Sequence, residues 1–176
     1  MKILILATAM NPGNRGRVLA ERANDLCAAA GAETCLVDLQ ELALPLCGTE
    51  GAAEEAQVRD LHERVREADG ILIATPIYNY DVNAACKNAV ELTGAAWENK
   101  VVGFVCTAGG QSGYMSVMSF AHSLMLDFRC LVVPRFVYIT GAAVREGRIV
   151  EAEIERRLEQ LCDALMHLAA VWPPRD

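Results

Sequence analysis

The sequence of 176 residues lacks several features that would place it in common classes of protein. It has no run of eighteen apolar residues, the length that a membrane-spanning helix needs. The mostly apolar residues 1–6 are too few for a secretory signal, and no cleavage pattern with its charged prefix accompanies them. Its seven cysteines form no Cys-x-x-Cys pair, and its three histidines share no metal-ligand spacing with them. We therefore expect a cytoplasmic protein with reduced cysteines, no membrane partner and no metal.

Acidic residues are missing from one part of an otherwise acidic chain. The net charge is −7, which argues against a nucleic-acid partner. Residues 1–20 nevertheless contain Lys2, Arg15 and Arg17 and no Asp or Glu. This distribution favours a site for an anion, although a chance gap in so short a window would give the same pattern.

The residues that are present predict a folded α/β protein. Hydrophobic residues make up 53% of the chain and charged residues 22%, which is enough apolar material for a core. Apolar runs predict strands at residues 2–7, 34–38, 70–75, 100–107 and 131–139. Helical patterns follow them at residues 15–31, 54–68, 82–94, 113–127 and 150–171. Because the strand runs are continuous and alternate with helices, we predict a doubly wound, five-stranded parallel sheet with helices on both faces. No second composition regime, repeat or long linker divides the sequence, so we predict one domain over 1–176.

Ligands of such sheets bind outside the carboxyl ends of the strands, where the winding reverses. The loops after strands one, three and four are therefore the informative ones. They read ATAMNPGNRGR, TPIYNYD and TAGGQSGY.

The first loop has the chemistry of a phosphate site. It leads into a helix N-terminus, whose free N–H groups and partial positive charge favour anions. Asn11 and Asn14 offer amide donors, Gly13 and Gly16 permit close backbone approach, and Arg15 and Arg17 add charge. The loop matches neither the dinucleotide-binding pattern nor the P-loop pattern. An ordinary loop with solvated arginines is the alternative.

The third-strand loop has two large aromatic residues in a predicted turn, which is unusual. Pro76 directs the chain out of the strand, and Tyr78, Asn79 and Tyr80 follow it. An aromatic ring at the end of a strand can pack against a planar ligand while amide groups bind its polar edge. The alternative is that the tyrosines cover a neighbouring loop or a subunit contact.

The fourth-strand loop has three glycines in five residues, which lets backbone donors approach a ligand closely. It only approximates a nucleophile elbow, because Tyr114 stands where that pattern needs glycine. The three loops together suit a flat, phosphorylated cofactor such as flavin mononucleotide (FMN). Such a cofactor would supply the chemistry itself, so we predict no catalytic side chain.

Three stretches of this sequence resemble the NAD(P)H-dependent FMN reductases of the flavodoxin-like fold, and the resemblance covers essentially the whole chain. They read ATAMNPGNRGRVLA, TPIYNYDVNAACKNAVEL and TAGGQSGY. The resemblance implies a flavodoxin-like fold, FMN as cofactor and NADPH or NADH as reductant. It places Pro76, Ile77, Tyr78, Asn79 and Tyr80 along the isoalloxazine. From the other loop it brings Gly109, Gly110, Gln111 and Gly113 to the ring.

The first loop departs from the family pattern, which has Ser, Arg, Ser and Ser at four positions. The residues here are Ala9, Asn11, Asn14 and Gly16. We expect backbone N–H groups, Thr8 and the two arginines to replace the missing donors. Ile77 also stands where the family has a glutamate.

The sequence therefore predicts an FMN-dependent oxidoreductase that passes electrons from NAD(P)H to a quinone, a free flavin or another small acceptor. The alternative is a flavodoxin-type electron carrier or flavin-binding module without NAD(P)H turnover. The resemblance also implies a homodimer or homotetramer. Residues 113–138 are compatible with such an interface, and equally with a buried helix and strand.

Overall fold

The computed structural model describes residues 1–141 and 143–172. The strands are β1 (Lys2–Ala7), β2 (Glu33–Asp38), β3 (Gly70–Tyr78), β4 (Asp81–Val82), β5 (Val101–Thr107), β6 (Leu131–Val132), β7 (Val137–Ile139), β8 (Val144–Arg145) and β9 (Arg148–Ile149). The α-helices are α1 (Arg15–Ala29), α2 (Ala56–Glu67), α3 (Ala84–Thr93), α4 (Met118–Phe128) and α5 (Ala152–Val171). Short 3-10 turns lie at Leu39–Glu41, Ala52–Glu54, Gly94–Trp97 and Gln111–Gly113.

The central sheet is parallel and has the order β2-β1-β3-β5-β6, with β7 also pairing with β5. This is the strand order of flavodoxin-like folds. The predicted fold class is confirmed. The sheet reverses its winding between β1 and β3, so the loops after these strands lie side by side at the carboxyl edge.

Two apolar cores explain why the strand sequences are continuously hydrophobic. Ile3 and Ile5 of β1 belong to the core under α1 and α5, whereas Leu4 and Leu6 belong to the core under α2, α3 and α4. Successive residues of a strand point to opposite faces, so both faces of each central strand need apolar side chains. The sheet is therefore covered by helices on both sides.

The third and fifth strands differ from their predicted extents. β3 continues three residues beyond the predicted end at Thr75 and pairs with β4 as a short hairpin. The predicted strand 131–139 is split into β6 and β7, because Pro134 between them has no N–H to donate to a strand ladder. The fifth position of the sheet is thus an interrupted edge strand.

The helices lie where they were predicted, with one large shift at an end. α4 begins at Met118 rather than at residue 113, because a 3-10 turn and a further turn precede it. None of the helices in the described part of the chain is long and apolar enough to cross a bilayer.

Candidate functional site

The three predicted loops meet at the carboxyl edge of the sheet. The parallel register pairs Ala7 with Ala74 and Pro76 with Thr107, so β1, β3 and β5 end near one another. A cavity of about 460 Å³, here called the loop cavity, lies between their loops. It is lined by Asn11, Gly13, Asn14, Arg15, Pro76, Ile77, Tyr78, Thr107, Ala108 and Gly109.

A second cavity adjoins the first. This tyrosine cavity has a volume of about 260 Å³. It is lined by Ile77, Asn79, Tyr80, Ala108, Gly109, Gly110, Ser112, Gly113 and Tyr138. Ile77, Ala108 and Gly109 line both cavities, which therefore form one continuous groove.

The end of the groove beside the first loop is built by the start of α1. Asn14 is the N-cap residue, and its Oδ1 accepts a hydrogen bond from the backbone N–H of Arg17 at 3.2 Å. The earlier N–H groups of a first helical turn have no intrahelical partner and remain available to an anion. A Cβ on Gly16 would lie 2.9 Å from Asn14 Oδ1 and 3.6 Å from Thr107 Cγ2, so glycine lets α1 begin close against β5.

Arg15 and Arg17, which the sequence puts forward together, have different surroundings. Arg15 lines the loop cavity, and its guanidinium lies against the backbone of Gly141, within 3.4–3.5 Å of where a Cβ would stand. Within residues 1–141 and 143–172, no carboxylate lies within 4.0 Å of it. Arg15 is therefore free to meet an anionic group.

Arg17 is held instead by three carboxylates. Its Nη1 contacts Asp38 at 2.5 Å and Glu41 at 3.1 Å, and its Nε contacts Glu21 at 3.0 Å. These acids raise the pKa of Arg17, and the hydrogen bond that its Nε donates to Glu21 has the largest effect. The side chain fastens α1 to the end of β2. That Arg17 contributes charge to the phosphate site stays a prediction, and its three ion pairs do not favour it.

Three other predicted residues also lie outside the lining of both cavities. Thr8 is fully buried, and its Oγ1 donates to Asn83 Oδ1 at 2.9 Å, so its hydroxyl is unavailable to a ligand. Gly16 acts through packing, as described above. Gln111 is exposed at the start of a 3-10 turn. The contributions predicted for the Thr8 and Gln111 side chains stay predictions, which these positions do not favour.

The tyrosines of the third loop stand on a two-residue hairpin. Ile77 pairs with Val82 and Tyr78 with Asp81, which leaves Asn79 and Tyr80 as the turn. Their φ angles are 51° and 63°, as a type I′ turn requires. Asn tolerates this left-handed region, but a bulky side chain there is rare and strained. Tyr78 and Tyr80 are 52% and 69% exposed. The strained turn therefore leaves two aromatic rings exposed beside the groove.

The glycine-rich loop is supported from below by Tyr138. The hydroxyl of Tyr138 donates to the Gly110 carbonyl, and burial raises the pKa of this phenol. A Cβ on Gly113 would lie 3.0 Å from Tyr138 Oη and 3.3 Å from Ile77 Cγ2. Tyr114 packs edge-on against the Tyr138 ring at 5.6 Å. Gly113 and the Tyr138 hydroxyl therefore set how closely this loop packs against β3 and β7.

Sequence reasoning missed four residues that line the groove. They are Thr107, Ala108, Ser112 and Tyr138. The first three lie within the fourth-strand loop already singled out. Tyr138 lies one residue before the end of the fifth strand, and the rule that carboxyl ends share one edge would have pointed to it.

The amino ends of β1 and β2 border a cavity of about 340 Å³ whose charges are already paired. Lys2 Nζ lies 3.0 Å from Glu67 Oε2, and Arg64 Nε lies 2.7 Å from Asp60 Oδ2. This cavity is at the edge of the sheet opposite the three loops. Its paired charges and its position favour the carboxyl-edge groove as the ligand site.

The donor set of the groove fits a phosphorylated planar ligand. One end offers the Arg15 cation, two asparagine amides and a helix N-terminus, which are the groups that bind phosphate in proteins. The other end offers exposed tyrosines and a glycine-rich backbone, which suit a flat ring with a polar edge. These residues would hold the phosphate and the ring of FMN, respectively.

A flavodoxin-like sheet with this groove at its carboxyl edge defines a class of flavin-binding α/β proteins. The sequence model of the NADPH-dependent FMN reductase family matches residues 1–144. The chain therefore belongs to this family, which uses FMN with NAD(P)H, and it is an oxidoreductase.

Individual relatives agree with this assignment. An NADPH azoreductase from Bacillus sp. (strain OY1-2) is 28% identical over 153 residues, covering 86% of this chain and 83% of that protein. An NAD(P)H:quinone oxidoreductase from Solanum tuberosum is 26% identical over 182 residues, covering 96% of this chain and 93% of that protein. The crystal structure of the NADH:FMN oxidoreductase EMOB in its apo form shares the fold. Its TM-score is 0.77 at 18% identity, with 99% of this chain and 91% of that chain covered.

Proposed function

We propose that this chain passes electrons from NADPH or NADH to a quinone, a free flavin or another small acceptor, within a single flavin-binding domain. The observation that carries the proposal is the continuous groove formed by the loop cavity and the tyrosine cavity. Two relatives are named as an NADPH azoreductase and an NAD(P)H:quinone oxidoreductase, which supports a small-molecule acceptor.

Each part of the groove has a separate task in this proposal. Arg15 and the first turn of α1 bind the phosphate, and Asn11 adds an amide donor beside them. Ile77 and Tyr78 lie along one side of the ring, and the glycine-rich loop lies along the other. FMN, when bound, supplies the chemistry by accepting hydride from the nicotinamide and giving electrons to the acceptor.

The protein contributes position rather than acid–base chemistry. The Tyr138 hydroxyl donates to the Gly110 carbonyl and so supports the glycine-rich loop. Burial raises the pKa of both Cys86 and Cys106 to about 12, which keeps these thiols protonated near neutral pH. We therefore assign no catalytic side chain.

The experiment is a flavin titration followed by turnover. The purified chain is titrated with FMN while flavin fluorescence and the visible spectrum are recorded. The FMN-loaded protein is then given NADPH or NADH with a quinone, an azo dye or excess free FMN, and nicotinamide oxidation is followed by absorbance. Saturable FMN binding with acceptor-dependent oxidation of a nicotinamide is the expected result.

The same experiment separates this proposal from an electron carrier. A carrier would bind FMN but oxidise neither nicotinamide directly. A chain that leaves added FMN unbound under all conditions would refute the proposal altogether. Comparison of the acceptors at equal concentration then identifies the acceptor class.

We also propose a homodimer or homotetramer that associates through the outer side of α4. Leu126 is 83% exposed, and Met115 and Met125 are exposed nearby in the chain, which is unusual for apolar side chains of this size. Light scattering at several concentrations should show a mass above that of one chain. Leu126→Asp should lower that mass, whereas Val150→Asp, at an exposed apolar residue of another segment, should leave it unchanged.

We propose a cytoplasmic location because the cysteines are not paired in disulfides. All seven lie in the described part of the chain and are free thiols, as expected in a reducing compartment. Fractionation of expressing cells would test this location.

A further inference from the structure

A single buried amide, that of Asn83, lies beneath the groove and joins its walls. Its Nδ2 donates to the Thr8 carbonyl oxygen at 2.6 Å. Its Oδ1 accepts from Thr8 Oγ1 at 2.9 Å and from Thr75 Oγ1 at 3.3 Å. The same oxygen accepts from the backbone N–H of Cys86 at 3.3 Å, which makes Asn83 the N-cap of α3.

The orientation of this amide is fixed by its partners. A carbonyl oxygen can only accept a hydrogen bond, so the atom facing Thr8 O must be the amide nitrogen. A backbone N–H can only donate, so the atom facing Cys86 N must be the amide oxygen. The two constraints agree, and flipping the side chain would break both bonds at once.

Asn83 continues the connection between β1 and β3 beyond their strand pairing. The paired register ends at Ala7 and Ala74, and one further backbone bond follows, from Thr8 N to Ala74 O at 2.9 Å. Past this point the first loop turns toward α1 and β3 continues into the tyrosine hairpin. The hairpin returns through Val82 directly to Asn83. The Asn83 amide thus binds Thr8 at the base of the first loop, here called the phosphate loop, and Thr75 at the base of the tyrosine hairpin.

The hydrogen bonds of Asn83 lie in a buried part of the protein. Thr8 and Thr75 are fully buried and Asn83 is 5% exposed. In such surroundings a hydrogen bond holds its geometry firmly, and a lost partner is not replaced by water. Asn83 itself does not line the loop cavity or the tyrosine cavity, so it acts through the residues it holds.

We infer that Asn83 is a positioning residue that sets the distance between the phosphate loop and the tyrosine hairpin, and so tunes FMN affinity. The inference rests on the proposed function, because it assigns FMN to the groove. The phosphate and the ring of FMN are joined by its ribityl chain, so both ends of one ligand must be met at once. Any freedom between the two walls must be lost on binding and therefore weakens it.

Asn83→Asp tests the inference with a change of very few atoms. At about pH 8 the carboxylate cannot donate to Thr8 O and would repel it, and we expect FMN to bind at least about tenfold more weakly. At about pH 5.5 the protonated acid can donate again, and the affinity should return toward that of the wild type. The FMN phosphate itself gains a proton near about pH 6, so the recovery is read from the ratio of the variant's dissociation constant to that of the wild type at each pH.

The other titratable groups near this position should not produce that pH profile. Asp81 and Lys87 are exposed, and Asp81 Oδ1 already accepts from the N–H of its neighbour Val82. Cys86 on α3 and Cys106 on β5 are buried, and burial raises the pKa of each to about 12. All four are also present in the wild type, which therefore serves as their control.

Asn88 provides a matched control on the same helix. Its amide also bridges a carbonyl and an N–H, donating to Pro45 O at 2.9 Å and accepting from Cys47 N at 2.8 Å. These partners belong to the loop between β2 and α2, away from the groove. Asn88→Asp should lower stability but leave the dissociation constant of FMN within about twofold of the wild type, because a folded protein binds with unchanged geometry.

Asn83→Ser keeps the test decisive if the aspartate variant does not fold. Serine can still cap α3 but is too short to reach Thr8 O, so FMN binding should weaken without the pH-dependent recovery. Dissociation constants are measured by flavin fluorescence at temperatures where circular dichroism shows each variant folded. Wild-type affinity in either Asn83 variant would overturn the positioning role. Failure of the wild type itself to bind FMN would instead overturn the proposed function.

Discussion

Arg15 and Arg17 stand two residues apart in an acid-free loop, yet their side chains have different surroundings. Arg15 lines the loop cavity without a carboxylate within ion-pairing distance in the described part of the chain. A charge-assisted hydrogen bond to phosphate contributes about 1.5–3 kcal/mol. Arg15→Ala should therefore weaken FMN binding by about one to two decades, and more at low salt than at high salt.

Arg17→Ala should act on stability instead. The substitution removes three contacts and leaves Asp38 buried with the Gln40 N–H at 2.9 Å as its remaining partner. Because Arg17 is itself partly exposed, we expect a loss of about 1–2 kcal/mol rather than the full effect of breaking a buried ion pair. For a chain of this size that corresponds to a fall in Tm of about 2–8 °C.

Riboflavin is the control ligand, because it has the ring of FMN without the phosphate. Both variants and the wild type are titrated with FMN and riboflavin at two salt concentrations, and their thermal unfolding is recorded. Arg15→Ala should narrow the preference for FMN over riboflavin, and Arg17→Ala should leave it unchanged. Equal losses of FMN affinity in the two variants would refute the separation of their roles.

Three further predictions concern other parts of the site and the core. In urea titrations, the free energy of unfolding of Tyr80→Gly should exceed that of Tyr80→Ala by about 1 kcal/mol, since alanine is strained at φ 63°. Equal free energies would mean that residue 80 does not have left-handed backbone. Gly113→Ala should lose about 1–3 kcal/mol of stability by crowding Tyr138 Oη, whereas Gly109→Ala, with no atom within 4 Å of its Cβ, should serve as an unstrained control. Stability should fall as the pH rises from about 9 toward 12, because the unfolded chain ionises Cys86 before the folded chain does; Cys86→Ala should flatten that slope in urea titrations at several pH values.

Prolines show how much of the fold the sequence could predict. The apolar runs located all five positions of the sheet, because strands buried on both faces need continuous hydrophobic sequence. Pro76 and Pro134 both interrupt such runs, with opposite results. Pro76 stays within β3, paired with Thr107 of β5, at a point where β1 no longer pairs with β3. Pro134 divides its strand, which has one neighbour only. The difference depends on strand register, which local sequence does not contain.

The site was predictable to the extent that it follows from loop position. Carboxyl ends of parallel strands share one edge, so eleven of the fifteen predicted residues line the groove. The exceptions depend on distant partners. Arg17 is neutralised by Asp38, 21 residues away, and Thr8 is bound to Asn83, 75 residues away. The left-handed tyrosine at position 80 was also unpredictable, because propensity opposes it.

The interruption at Pro134 has a consequence for behaviour at high concentration. An edge strand offers free N–H and C=O groups to other chains, and a long apolar edge invites growth of the sheet between molecules. Here β6 and β7 present two and three residues in succession, with Pro134 and Arg135 between them. Replacing Pro134 by valine would give the unbroken apolar run LVVV at the edge. The natural proline thus lets a valine-rich strand end the sheet without acting as a template for aggregation.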